Sequence, residues 1–410
     1  MKPKYFGGLD FGSSGARISI IDCQKTLIYS NSNIYKYGFK HPKSWLIACE
    51  DLLINVPEYI KKNLGKIAIS GTSGTLLACT KEGKELGDSI PYNQICEVNK
   101  EILDKIAEDI EHLRSPFSGL SKALKLISIY GEKILLRHQS DWIMGFLLKD
   151  WNYGEEGNNI KLGWNIKKGC WPRAYNSVTW RKSLPKIIKS GERIGKIDQS
   201  LAEKLSLNKE LLIISGTTDS NAAYLAAEVK RDEGLTVLGT TIVLKKFVQE
   251  PINITGITNH RVNKEWIIGG SSNAGCGILS KFFSDSEIQE LSRQINPQKT
   301  TNLNYLPLNC KGERFPFNNP DLEPIVNPRP VSDSLFLHAL LEGLALIELK
   351  GWEKLRELTG TFPNKIITIG GGSKNPQWKA LRQKILKIPI ISSNKSTAYG
   401  TAILAFVSQK

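Results

Sequence analysis

The 410-residue sequence has no apolar run long enough to cross a bilayer, and its start, MKPKYFGGLDFG, lacks the apolar segment of a secretory leader. This predicts a soluble chain with no membrane partner, cytoplasmic, or stromal if it comes from a photosynthetic eukaryote, although no transit peptide is seen. Paired cysteines are also missing. The seven present (Cys23, Cys49, Cys79, Cys96, Cys170, Cys276 and Cys310) are odd in number, scattered and never in C-x-x-C spacing. That pattern excludes a disulfide framework or zinc site and predicts reduced, mostly buried thiols. The five histidines stand at no metal-ligand spacing. Low-complexity tracts are absent, so the chain should be folded end to end. Lys and Arg outnumber Asp and Glu by 55 to 40, a net charge of +15, yet they form no run of five and no basic stretch interleaved with aromatics. Dispersed charge of this kind predicts no nucleic-acid partner, while a cationic field suits an anionic cosubstrate.

The length exceeds what one hydrophobic core usually supports, so two domains are expected. Alternating apolar and small residues from Tyr5 to Ile20, and again at Leu27, predict antiparallel strands joined by tight turns. Helical periodicity follows over Ser44–Leu64, Glu97–Leu113, Leu120–Ile129 and Asp141–Leu148, with a strand at Lys66–Ser70. The segment from Trp151 to Ser183, rich in Trp, Gly, Asn and Pro, reads as a long loop with short helical turns. Beyond it come a strand at Leu211–Ser215 and a helix at Ser220–Glu228. A second beginning then appears. LTVLGTTIVLKKF (Leu235–Phe247) repeats the plan of GLDFGSSGARISI (Gly8–Ile20): a strand, a glycine with two small hydroxyl residues, and a returning strand. Two copies suggest two related domains. Further strands are expected at Trp266–Gly270 and Ile366–Ile369. Helices are expected at Leu335–Leu358, with Phe336, Leu340, Leu344 and Ile347 on one buried face, after Asn375, and at Thr397–Val407.

Five segments carry candidate chemistry. In the first hairpin, Gly12, Ser13, Ser14 and Gly15 can aim amides and hydroxyls at one anion, with Asp10 as a carboxylate at the strand end; the alternative is an ordinary turn. Gly239, Thr240 and Thr241 repeat that chemistry, and chance explains one copy better than two. In ISGTTDSNAAYLAA (Ile214–Ala227), Asp219 opens a helix at a strand's carboxyl end, as a general base or as no more than a first-turn acid. In IITIGGGSKNPQW, Gly370, Gly371 and Gly372 allow close backbone approach to an adenine or ribose, with Asn375 capping the next helix. The spacings of the Rossmann and P-loop fingerprints are absent. In AISGTSGTLLACT, the hydroxyls around Ser73 can bond a polyol or form a plain turn. The tryptophans of the long loop (Trp151, Trp164, Trp171 and Trp180) read either as walls for a sugar or as packing.

Taken in this order over nearly the whole chain, these segments resemble the FGGY carbohydrate kinases, of the superfamily that includes actin and hexokinase. The resemblance implies an α/β fold of two actin-like, ribonuclease H-like ATPase domains flanking a deep cleft. Residues 1–228 would bind sugar, joined by a C-terminal helix at 399–410, and residues 229–398 would bind ATP. It implies Asp219 as the base and Asp10 as organiser of Mg2+ and substrate. Ser13, Ser14, Gly15, Gly239, Thr240, Gly371 and Asn375 would contact the nucleotide, and Ser73 and Asp219 the sugar. Family members commonly run near 500 residues; this chain is shorter and has Phe282 where tryptophan is common. The compactness looks like a cyanobacterial and plant group that phosphorylates ketopentoses, which points to D-ribulose, with D-xylulose as the alternative. The expected assembly is a monomer or homodimer. An actin-like or chaperone-like ATPase switch shares the phosphate hairpins and is the rival from another class.

Overall fold

The computed structural model describes residues 4–107 and 110–408. Positions 108 and 109 of the expected helix Glu97–Leu113, and positions 409 and 410 of the helix expected at 399–410, lie outside the described residues. The chain divides into two compact units: residues 1–226, 261–264 and 395–410 form the first, and residues 227–260 and 265–394 the second.

The first unit contains β1 (Tyr5–Phe11), β2 (Gly15–Ile21), β3 (Leu27–Ile34), β4 (Leu64–Gly71), β5 (Leu76–Cys79), β6 (Leu135–His138), β7 (Tyr153–Glu155), β8 (Lys186–Ile188), β9 (Arg193–Lys196) and β10 (Leu212–Thr218). Among the described residues its main sheet has six strands in the order β3-β2-β1-β4-β10-β9. The first three form an antiparallel meander, and β4 and β10 then run parallel to β1. Side-chain alternation along β1 explains how both faces are covered. Leu9 and Phe11 join Ile18, Ile20, Trp45 and Trp142 in one core. Phe6 and Ile21 join Ala226, Tyr399, Ala402 and Ile403 on the other face. Each large apolar side chain fully buried in this way contributes about 1.5–3 kcal/mol. Gly8 lets the C-terminal helix Thr397–Val407 press against the sheet: a Cβ there would stand 2.2 Å from Ala398 O and Ala402 N.

The second unit contains β11 (Gly234–Leu238), β12 (Ile242–Val248), most of β13 (Ile257–Val262, whose last two residues count with the first unit), β14 (Glu265–Ser271), β15 (Ile366–Ile369) and β16 (Ile390–Ser392), in the order β13-β14-β12-β11-β15-β16. Here too an antiparallel set, β11 with β12 and β12 with β14, is followed by strands parallel to β11, namely β15 and then β16. The repeat visible in the sequence is therefore the pair of hairpins β1–β2 and β11–β12, each opening a sheet of the same plan. The 27-residue helix Asp333–Thr359 starts at Ser332, whose side chain accepts from Leu335 N, and stops at Gly360, with φ of +74°. Phe336, Leu340, Leu344 and Ile347 all lie in its buried face.

Three expectations need correction, one of them the helix Glu97–Leu113, of which the described residues show a helix at Lys100–Ala107 and a separate short turn at Glu111–Leu113. The thiols are free but not mostly buried: Cys23, Cys170 and Cys310 are exposed, Cys276 is half-buried, and Cys49, Cys79 and Cys96 are buried. The helix expected over Ser44–Leu64 is Pro42–Ile54 followed by the short turn Glu58–Lys61, because Pro57 cannot continue the first helix and instead starts the second. No helix among the described residues is long and apolar enough to cross a membrane.

Candidate active site

In the first unit, parallel pairing aligns the carboxyl ends of β1, β4 and β10: Asp10 lies opposite Ser70, and Ser70 opposite Thr217. Side chains just beyond these ends gather at one edge of the sheet, where open α/β sheets hold ligands. Asp10 sits at the end of β1, Ser73 is half-buried in the turn after β4, and Asp219 begins the helix Asp219–Ala226 straight after β10. Asp10 is 2% exposed. Its Oδ1 accepts from Ser70 Oγ at 2.9 Å, and Arg17 Nη1 stands 3.6 Å from its Oδ2. Burial pushes its carboxyl up to about 6; the charge of Asp219 adds to the rise, while Ser70 and Arg17 oppose it. The two carboxylates therefore feel each other. Ser70 is itself steadied by Thr401 Oγ1 at 2.7 Å.

The turn between β1 and β2 is closed by one backbone bond, Gly12 N–H to Gly15 O at 3.0 Å. Its Ser13 and Ser14 are exposed and Gly15 is buried. Gly12 O accepts the Tyr35 hydroxyl at 2.8 Å. Next to Ser73, Thr72 donates through its amide (3.0 Å) and hydroxyl (2.8 Å) to Gln139 Oε1. Gln139 Nε2 lies buried near the Tyr35 hydroxyl without a hydrogen bond of ordinary geometry. A buried donor left open costs about 1–3 kcal/mol, so it is a natural contact for a ligand oxygen.

In the second unit, β11 and β15 run parallel with Val237 opposite Ile369, which brings together the two glycine turns that follow them. They open on a cavity of about 790 Å³ lined by Gly239, Thr240, Arg293, Gly371, Asn375 and Trp378, among others. This is within the usual range for a small-molecule site. Gly370 is required at its position: φ is +94°, and a Cβ would stand 2.4 Å from Leu238 O. At Gly371 a Cβ would meet nothing within 4 Å, so its surface is open. Asn375 caps the helix Pro376–Leu386, accepting from Trp378 N at 2.9 Å, and donates to Ser292 Oγ at 2.7 Å. The second hairpin turns its carbonyls toward a neighbouring segment: Gly239 O accepts from Cys276 N at 2.8 Å, and Thr240 O from Gly277 N and Asn309 Nδ2, each at 3.1 Å.

Every residue singled out in the sequence is thus placed within its unit, with Asp10, Ser13, Ser14, Gly15, Ser73 and Asp219 at the strand ends of the first and Gly239, Thr240, Gly371 and Asn375 at the cavity of the second. The sequence reading missed Arg17, Tyr35, Ser70, Gln139 and Asn309. Arg17 was within reach of it, because the antiparallel register of a hairpin centred on Ser13 and Ser14 puts it opposite Asp10. The others come from distant segments and carry no local signal. Of the loop tryptophans, Trp151 and Trp180 are buried, and Trp164, Trp171, Tyr175 and Trp180 pack ring against ring in succession. Trp164 Nε1 is buried without an acceptor among the described residues.

Magnesium takes hard oxygen donors and is typically held by one or two carboxylates plus substrate phosphate and water. Asp10, with a second carboxylate within electrostatic reach, fits that donor chemistry. A larger cluster of His, Cys, Asp and Glu does not occur among the described residues.

Residues 235–409 match the FGGY family of carbohydrate kinases, C-terminal domain. The chain is 24% identical to a xylulose kinase of Lactococcus lactis subsp. lactis, over 94% of this chain and 84% of that one. A ligand-bound xylulose kinase from Lactobacillus acidophilus superposes with a TM-score of 0.79 at 17% identity, covering 98% of this chain and 88% of that chain. A Plasmodium falciparum glycerol kinase with ADP gives 0.81 at 17% identity, covering 98% and 89%. The fold is accordingly the two-domain, actin-like α/β fold of these kinases. With that family match over residues 235–409, the duplicated hairpin sheets and relatives that align over nearly the whole length, the chain is similar to the FGGY carbohydrate kinases.

Proposed function

We propose that the protein transfers the γ-phosphoryl group of ATP to a hydroxyl of a ketopentose, with D-ribulose and D-xylulose as the acceptors to test first. The resemblance read from the motifs points to D-ribulose, and the names of the xylulose kinase relatives favour D-xylulose. The observation that carries the reading is that Asp10, Ser73 and Asp219 stand at or just after the carboxyl ends of the three adjacent parallel strands β1, β4 and β10. In this proposal the first unit, with the helix Thr397–Val407, is the sugar domain, and the second holds the nucleotide.

Sugar hydroxyls bond Ser73 and Gln139, and one hydroxyl points at Asp219. Asp219 is half-buried and takes that hydroxyl's proton as the oxygen attacks phosphorus. The phosphoryl group passes through a loose transition state, so positioning and charge neutralisation matter more than a strong base. The amides and hydroxyls of Ser13, Ser14 and Gly15, and those of Gly239 and Thr240, hold phosphate oxygens. Gly371 and the start of the helix at Asn375 hold adenosine. Asp10 holds Mg2+, which when bound supplies positive charge against the phosphates.

A coupled ADP-release assay over a panel of pentoses, polyols and glycerol tests the proposal. Stimulation by one ketopentose, with a stoichiometric phosphorylated product, supports it. Slow hydrolysis that no sugar stimulates would favour the ATPase switch instead.

A further inference from the structure

Both phosphate turns share a feature that their own sequences do not contain. A tight two-residue hairpin ordinarily closes with a reciprocal pair of backbone bonds. At the first turn, among the described residues, only the Gly12 N–H to Gly15 O bond is made, and Gly12 O accepts the hydroxyl of Tyr35 instead. Tyr35 follows β3, is 6% exposed, and stacks on Phe39 with ring centroids 6.1 Å apart. Burial, with the charge of Asp10 beside it, pushes its phenol up, so the hydroxyl stays a donor across the working pH range. At the second turn, Asn309 reaches in from a segment anchored to Ala274 by the bridge at Leu308. Its Nδ2 donates to Thr240 O at 3.1 Å, beside the Gly277 amide that reaches the same oxygen at 3.1 Å, and to Asn273 O at 2.7 Å. In each case a carbonyl that would otherwise present negative charge to an anion is held by a donor from a distant part of the same unit. Among the described residues the amides of Ser13, Ser14, Thr240 and Thr241 donate to no protein group.

We infer that Tyr35 and Asn309 are positioning residues for phosphoryl transfer, each holding a turn carbonyl aside so that the neighbouring amides face the nucleotide phosphates. The inference rests on the ATP-dependent kinase reading above. Neither residue touches the reacting atoms, and each acts through the turn it holds.

The test compares Tyr35→Phe, which deletes one hydroxyl, and Asn309→Asp, which keeps the shape but removes the donor, with the control Tyr37→Phe at an exposed tyrosine nearby. Measurements are kcat/KM for MgATP, KM for the sugar, MgATP affinity by calorimetry, and Tm. Each lost bond should lower kcat/KM for MgATP about tenfold while sugar KM stays within about twofold. Unchanged MgATP parameters in both variants, or a lowered Tm with MgATP parameters intact, would overturn the inference. Should Asn309→Asp not fold, Asn309→Ala is read in the same way. If the unaltered protein binds MgATP but phosphorylates no sugar, the function reading fails while calorimetry still decides this one. If it does not bind MgATP at all, both fall.

Discussion

Asp10 in the first unit and Glu348 in the second are both buried carboxylates beside the strand that opens a sheet, but their surroundings differ. Glu348, 1% exposed, meets Arg382 through two bonds of 2.5 and 2.7 Å and also accepts Thr236 Oγ1 at 2.6 Å. Arg382 in turn donates to Thr368 Oγ1, so one closed network ties β11, β15 and two helices together. Asp10 has one good bond, from Ser70, and a looser ion pair with Arg17, and it faces a second negative charge, Asp219. A buried charge whose partners are complete serves the fold. One left short of positive charge at a sheet edge is suited to an incoming cation or substrate, and its instability is the cost of that readiness.

Substitutions can break or sharpen this contrast. The largest effect is expected from Asp219→Asn, which should lower kcat by about 10²–10⁴-fold while leaving ATP affinity unchanged; sugar phosphorylation at near the unaltered rate would remove Asp219 from the mechanism. Glu348→Gln leaves Arg382 buried and unpaired and should cost about 3–5 kcal/mol of unfolding free energy in chemical denaturation. A loss well under 1 kcal/mol would show that the Glu348 network is no tighter than the one around Asp10. Asp10→Asn should act in the opposite direction on stability. The folded pKa of Asp10, about 6, lies above its ordinary 3.8, so its protonated form is favoured by folding. That contribution is full below pH 3.8 and is lost as the pH rises through 6. The Asn variant should therefore be more stable than the unaltered protein by about 3 kcal/mol at pH 7.5, with the gap closing toward pH 4, while losing activity. Equal stability at both pH values would mean that Arg17 and Ser70 already balance the charge. The smallest effect is expected at Gly371→Ala, where the protein offers a Cβ open space. Tm should hold while ATP affinity falls about tenfold if adenosine packs on that backbone; unchanged affinity in calorimetry would move the nucleotide elsewhere.

Much of the fold was legible because its signals are local. The strand at Ile366–Ile369 and the helix at Thr397–Val407 appear with the bounds expected from their patterns. The two glycine-hydroxyl hairpins announced the duplicated sheets. Short and weakly patterned elements were missed, among them β5 with β6, the edge strand β9, and the capped helix Asp285–Ser292. Three or four residues of alternation do not stand out from chance, and edge strands need no continuous apolar face. Scattered cysteines carried no exposure signal, so the expectation of mostly buried thiols failed.

The sequence alone determined the kinds of local structure and the chemistry placed at their ends: small hydroxyls after glycine, an acid closing β1, an acid opening a helix. These depend on backbone sterics and on spacings of a few residues. Tertiary structure decided which of these groups became neighbours and which distant side chains, such as Tyr35, Gln139 and Asn309, complete their surroundings. Contacts between residues far apart in the chain follow from how sheets and helices pack, and packing leaves no periodic trace in the chain.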